Sequence, residues 1–246
     1  MLIITASGAW AQRSAPPASD QKPPETLTTT QAFGAQCRLP PTFDQGSIAA
    51  LKRNANSDNA PAQCALGLLY HNGWGILRDY TQAVSWWRKA AEQGSAAAQY
   101  FLGLMYATGT GVPKDSTQAA TWWRKAAEQG YGPAQSAFGE LYDFGDGVPQ
   151  DYTQAAAWYR KAAEQGEADA QGGLGLIYYE GKGVPQDFAE AYFWFDLAAA
   201  GKPDLSTKGA DAVIRDHIAS QLTPADLSRE QERARKWFEA HPAKPQ

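Results

Sequence analysis

Apolar and small positions in this chain return with a period of 36 residues, and within each period the pattern describes two helical faces. In the first stretch Leu102 and Tyr106 fall four apart, the spacing of one α-helical face, and the run meets Gly109, suited to a left-handed C-terminal position. In the second stretch Ala83, Trp86, Trp87, Ala90 and Ala91 share a face that Gly94 closes. Between the two lies a loop such as Gly-Thr-Gly-Val-Pro-Lys-Asp (109–115), in which glycine allows unusual backbone angles and proline forbids helix continuation. Asp79, Asp115, Asp151 and Asp187 stand at N-cap positions before the second helices. Gln82, Gln118, Gln154 and Glu190 follow three residues later as capping-box partners.

The register is strict. Gln63, Gln99, Gln135 and Gln171 are spaced by 36, and so are Ala62, Ala98, Ala134 and Ala170, Gly67, Gly103, Gly139 and Gly175, and Tyr70, Tyr106, Tyr142 and Tyr178. The aromatic pairs are Trp86/Trp87, Trp122/Trp123, Trp158/Tyr159 and Trp194/Phe195. A glycine inside a helix costs about 1 kcal/mol relative to alanine, so its recurrence needs a compensating cause. Close approach of helices supplies one: an aromatic ring of one helix fills the space that small residues leave on the next. Trp122 is expected to be such a buried indole, shared between helix pairs.

The pattern Ala-x-Ala-Gln-x-x-Leu-Gly-x-x-Tyr, then Gly-x-Gly-Val-Pro-x-Asp, then Ala-x-x-Trp-Trp/Tyr-Arg-Lys-Ala-Ala-Glu-Gln-Gly resembles the Sel-1-like repeat, a relative of the tetratricopeptide repeat. The resemblance covers 59–201. Copy one departs from it at Ile76, Leu77 and Arg78, and copy four has Asp196 and Leu197 in place of the basic pair. It implies an all-α fold, a right-handed α-solenoid of stacked antiparallel helix pairs, with copies at 59–94, 95–130, 131–166 and 167–201.

The flanks read as caps. Leu51 and Ala55 lie 36 residues before Trp87 and Ala91, so 42–58 is expected to be a lone N-terminal capping helix. In 202–246, capping helices and a tail are expected. One helical face there would comprise Ala210, Val213, Ile214 and Ile218, and a last helix, capped by Thr223 with Pro224 at its first position, would turn Leu227, Ala234, Trp237 and Phe238 inward.

Residues 1–41 read as the remnant of a signal peptide followed by a Pro-rich linker. Ala9-Trp10-Ala11 suits a small-x-small cleavage site before Gln12, which implies export, periplasmic or secreted, from a bacterial cell. Cys37 and Cys64 are the two cysteines. In an exported protein they permit a disulfide, and two free thiols equally fit the sequence.

The formal net charge of -4, with no compensating basic patch, argues against a nucleic-acid partner. No apolar run is long enough for a transmembrane segment. His71, His217 and His241 stand at no zinc-ligand spacing, the glycine loops lack a following Gly-Lys-Ser/Thr, and no cofactor is expected. Ser19-x-x-Lys22 matches a motif of penicillin-recognising enzymes, and cysteine-rich relatives of the repeat are linked to β-lactam hydrolysis. Neither Ser-Asp-Asn nor Lys-Thr-Gly follows, and no cysteine pair recurs in each repeat. No catalytic residue is therefore assigned. Arg88, Arg124 and Arg160 are expected to pair with Glu92, Glu128 and Glu164 along their helices.

What varies between copies is one stripe of the first helices, which tetratricopeptide folds turn toward a concave groove. Carried onto this chain, the stripe comprises Cys64, Leu68, His71 and Asn72; Tyr100, Leu104, Ala107 and Thr108; Ser136, Glu140, Asp143 and Phe144; and Gly172, Leu176, Tyr179 and Glu180. The resemblance implies a non-catalytic interaction scaffold that binds a peptide or protein partner through His71, Asn72, Tyr100, Leu104, Thr108, Ser136, Glu140, Asp143, Phe144, Tyr179 and Glu180.

Overall fold

The computed structural model describes residues 37–201 and 205–241. The signal-like segment, most of the linker and the Ser19-x-x-Lys22 match lie outside the described residues. Among the described residues there are eleven helices and no strand. They are α1 (Gln45–Asn56), α2 (Ala60–Asn72), α3 (Tyr80–Glu92), α4 (Ala96–Thr108), α5 (Ser116–Glu128), α6 (Gly132–Phe144), α7 (Tyr152–Ala163), α8 (Ala168–Glu180), α9 (Phe188–Gly201), α10 (Leu205–Ala219) and α11 (Pro224–Ala240).

The chain divides into two compact units, Met1–Lys114 with α1 to α4 and Asp115–Gln246 with α5 to α11. In the first unit each helix packs on the next in sequence. In the second, α5 to α10 do likewise, and α11 returns to pack on α9. The all-α fold of stacked helix pairs is thus present within each unit.

Local chemistry sets the helix ends. Asp79 accepts a hydrogen bond from the Gln82 amide at 3.0 Å, and Asp115 accepts one from Gln118 at 2.9 Å. Such a cap is worth about 1 kcal/mol. The first helices end on left-handed glycines, Gly73 and Gly109 in the first unit and Gly145 and Gly181 in the second. Gly201, in contrast, is the last residue of α9 itself.

The recurrent mid-helix glycines do permit close packing. A Cβ on Gly67 would lie 2.5 Å from the Trp87 indole, one on Gly139 2.8 Å from the Tyr159 ring, and one on Gly175 2.9 Å from the Phe195 ring. The second aromatic of each pair is buried, Trp87, Trp123, Tyr159 and Phe195 all lying in the core, and in copy four Trp194 is buried as well. Trp86, Trp122 and Trp158 are only half-buried, which corrects the expectation for Trp122. The helix turns about 100° between neighbours, so in copies one to three only one of the two rings faces the partner helix, whereas α9, packed on by α8, α10 and α11, buries both of its rings.

Two flank assignments also shift. Val213 is 67% exposed because α10 meets α9 through a face running Asp211, Ile214, Arg215 and Ile218, with Arg215 paired to Asp196 at 3.1 Å. Along α11 the buried face is Glu230, Ala234 and half-buried Trp237, which leaves Phe238 at its edge.

Candidate partner-binding faces

In the first unit the stripe lies on α2 and α4. Cys64 and Leu68 are core residues, and Cys64 is disulfide-bonded to Cys37 with a Cα–Cα distance of 4.9 Å. The His71 ring sits 5.5 Å from Trp87 and 5.4 Å from Tyr80. Burial holds its pKa below the ordinary histidine value; the Asn72 side chain opposes this shift and the charge of Arg78 adds to it. Asn72 and Thr108 each cap their own helix, donating to the carbonyls of Leu68 and Leu104 at 2.9 Å. Tyr100 and Leu104 are half-buried, with the Tyr100 ring edge-on to Phe101.

In the second unit the stripe lies on α6 and α8. Ser136 is 7% exposed, so its side chain is not on an open surface, a correction to the sequence expectation. Its flanking residues Gln135 and Ala137 are buried as well, so this turn of α6 is enclosed on that side. Phe144 is 57% exposed. Half-buried Asp143 accepts a hydrogen bond from the Tyr159 hydroxyl at 3.3 Å, and its backbone carbonyl accepts one from Gln150 at 2.7 Å. Tyr179 packs between Phe188 and His217, at 5.7 and 6.4 Å. Glu180 pairs with Lys182 at 2.8 Å.

Electrostatics gather several of these groups. Burial, then the carboxylates of Glu140 and Asp143, push the Tyr159 phenol well above its ordinary value, and Asp169 adds to the effect. Burial also raises the Asp143 carboxyl, against the Tyr159 hydrogen bond and the Lys182 charge, while Glu180 reinforces the rise. The structure therefore brings Glu140, Asp143, Tyr159 and Asp169 into one electrostatic neighbourhood, with Glu180 and Lys182 beside Asp143. Sequence reasoning missed Tyr159, Asp169 and Lys182. The available signal was the single letter by which Tyr159 departs from Trp87 and Trp123.

The basic pairs are held otherwise than expected. Among the described residues no ion pair joins Arg88 to Glu92 or Arg160 to Glu164. Instead Arg88 donates to the Tyr106 hydroxyl at 2.8 Å, and Arg160 donates to that of Tyr178. Lys89, Lys125 and Lys161 lie over the rings of Trp86, Trp122 and Trp158, at 4.3, 4.3 and 3.9 Å from their centroids. A cation over an indole face is attracted by the ring quadrupole, so each half-exposed tryptophan is covered by its own helix. Among the described residues no group of three or more His, Cys, Asp or Glu side chains could hold a metal, and no helix is long and apolar enough to cross a membrane.

The Sel1 repeat model matches residues 60–95, 96–131, 132–167, 168–202 and 222–240. A protective antigen of uropathogenic Escherichia coli with an SLR fold is 34% identical, with TM-score 0.67, over 80% of this chain and 41% of that one. This chain therefore spans about two fifths of that antigen's length. A Sel1 repeat protein from Oxalobacter formigenes is 33% identical, with TM-score 0.63, over 82% of this chain and 81% of that one. No curated protein matches.

Proposed function

The chain belongs to the Sel1 repeat family, and from that premise we propose that it is a non-catalytic scaffold whose first helices hold a peptide or protein partner. Stacked repeats suit this work, because each copy keeps the same packing letters and leaves the remaining letters free to vary. The observation that carries the reading is copy three. There exposed Phe144 adjoins Asp143, and Glu140 stands where the sibling copies have Leu68, Leu104 and Leu176. An aromatic anchor beside carboxylates suits a segment with a basic residue next to an apolar one. Asn72 and Thr108 then serve their own helices and Ser136 is buried, which leaves Glu140, Asp143, Phe144, Tyr179 and Glu180 as the partner-binding residues of the second unit, and His71, Tyr100 and Leu104 as a separate candidate face of the first.

The reading extends to an exported bacterial protein engaged in envelope assembly or signalling. Its support is the Cys37–Cys64 disulfide, a bond that persists in oxidising compartments, together with relatives from bacteria.

The test is the double change Glu140→Leu with Phe144→Thr, which borrows residues of sibling copies. Thermal stability is expected to stay within a few degrees, because surface changes act within about 0.5 kcal/mol. Partner recovered from envelope extracts, identified by mass spectrometry, is expected to bind at least about tenfold more weakly, or about 1.4 kcal/mol. Undiminished recovery by the double variant would remove α6 from the binding face.

A further inference from the structure

The disulfide stands at one end of the repeats and belongs to no repeated position. Where copy one has Cys64, the siblings have Tyr100, Ser136 and Gly172. The bond spans 27 residues and encloses the whole of α1. The main helix neighbour of α1 is α2, whereas α2 and α3 each pack on two helices. Of the 12 residues of α1, only Ile48, Leu51 and Ala55 are buried. Other ties are the Gln63 amide, which donates to the Ala55 carbonyl at 3.0 Å, and the Phe43 ring, 5.7 Å from Trp74. Leu39 is buried in the extended stretch that leads into α1.

Both cysteines are fully buried. Reagents in solution therefore reach the sulfurs only when α1 and the preceding segment lift away. From this mutual protection we infer that Cys37–Cys64 is a redox latch. Oxidation closes the N-terminal end of the repeats by fastening α1 to α2, and the docked helix then shields the bond. In the reduced chain α1 is held only by its thin apolar contact and these few ties, and it detaches more readily to uncover the α2 side that faces it.

The chemistry is thiol–disulfide exchange with an external carrier. On closing, the two thiols lose two protons and pass two electrons to a carrier disulfide, which becomes a dithiol. On opening, a dithiol thiolate attacks one sulfur and its second thiolate resolves the mixed disulfide. Cys37 and Cys64 take up two protons, and the reductant leaves as a disulfide. This inference does not depend on which surface holds a partner.

The experiment follows dithiothreitol reduction of the purified full chain by thiol labelling, with amide hydrogen exchange read by mass spectrometry. Reduction of the native protein is expected to be at least about tenfold slower than in urea, since opening must precede attack. Leu51→Ala leaves both cysteines in place and weakens the seat of α1, so it is expected to speed native reduction at least about tenfold. In the Cys37→Ala, Cys64→Ala double variant, exchange should rise about tenfold or more across 45–56 and leave 115–201 unchanged. An unchanged α1 in that variant, or a loss of protection over the whole chain, overturns the latch. If the double variant does not fold, the Leu51→Ala comparison decides alone, and a reduction rate equal to that of the wild type overturns it.

Discussion

The side-chain amide of Gln135 donates to the backbone carbonyl of Ala127 at 3.1 Å, so the first helix of copy three satisfies the open end of the helix before it. The last carbonyls of an α-helix have no partner within the helix. Gln63, Gln99 and Gln171 do the same for Ala55, Ala91 and Ala163 at 3.0 to 3.1 Å. The glutamine of Ala-Ala-Glu-Gln-Gly completes the link: the Gln165 side chain donates to Oε1 of Gln135 at 2.6 Å and that of Gln93 to Oε1 of Gln63 at 2.7 Å. Gln135→Leu keeps the bulk and removes the donor and the acceptor together. It is expected to cost about 1 to 3 kcal/mol, because two hydrogen bonds of about 0.5 to 1.5 kcal/mol each are lost, while the Ala127 carbonyl keeps its bond from the Gly130 amide at 3.0 Å. Urea unfolding midpoints measure this, and a variant as stable as the wild type would show that the link is ornamental.

Gly139→Ala sets helix propensity against packing. In an exposed helix the change would stabilise by about 1 kcal/mol. Here the added methyl lies 2.8 Å from the Tyr159 ring, which is itself buried and cannot swing aside. Overpacking of this kind costs about 1 to 3 kcal/mol, so the net change is expected to be destabilising. A raised melting temperature would mean that α6 and α7 have room that the contact distance denies.

The aromatic pair divides its labour, and two substitutions separate the roles. Trp87 is fully buried, stacks on Phe101 at 4.9 Å and donates to the Cys64 carbonyl at 3.2 Å, so Trp87→Ala is expected to cost about 3 to 5 kcal/mol. The Trp86 indole nitrogen is buried without a hydrogen-bond partner among the described residues. Trp86→Phe removes that unpaired donor and keeps a ring beneath Lys89. The loss of ring area and the relief of the donor, each about 1 kcal/mol or more, then largely cancel. Equal losses at the two positions would contradict the assignment of a single core ring to the pair of copy one.

These residues also show how far the sequence could be read. Helix order, caps, left-handed glycines and the small residues beneath Trp87 and Tyr159 all follow from periodicity, because each is imposed by local backbone chemistry or by a strict register. Which of two adjacent tryptophans faces inward depends on a rotation of about 100°, which an apolar-apolar doublet does not encode. The glutamine register was visible without its purpose, since the acceptor carbonyls stand eight residues earlier on the preceding helix. At the candidate face, Glu140 and Phe144 stood out against their sibling copies. The Tyr159 contact to Asp143 joins two positions 16 apart, and only the folded pair reveals it.

Acid should weaken the first unit through His71. Its pKa is lowered in the fold, so between the folded value and the unfolded value near 6.5 the unfolded chain binds more protons. The contribution to stability is full above about 6.5 and is lost as pH falls toward the folded pKa. His71→Ala borrows the residue of copy two, Ala107, and is expected to flatten that part of the stability–pH curve while lowering it at pH 7. Retention of the full slope in the variant would assign the pH dependence to other groups.

Asp143→Asn tests whether a charge is kept in copy three for binding rather than for folding. Burial raises the Asp143 carboxyl, so its ionised form is disfavoured in the fold. The sign is therefore opposite to that of a salt-bridged aspartate: the contribution to stability is greatest below the ordinary carboxylate pKa and is lost as pH rises through the folded one. Asparagine can still accept from the Tyr159 hydroxyl and carries no charge to desolvate. The variant should be more stable than the wild type at pH 7, by up to about 1 kcal/mol, the scale of a single polar change. That advantage should close as pH falls through the carboxylate range. A chain that keeps a destabilising charge beside an exposed Phe144 is expected to use it, as binding surfaces commonly trade stability for function. Asp143→Asn should accordingly hold a basic partner segment less tightly, with the difference shrinking in high salt. A variant that is more stable and binds equally well would assign the carboxylate to neither folding nor recognition, and the acidic side of the α6 face would lose its argument.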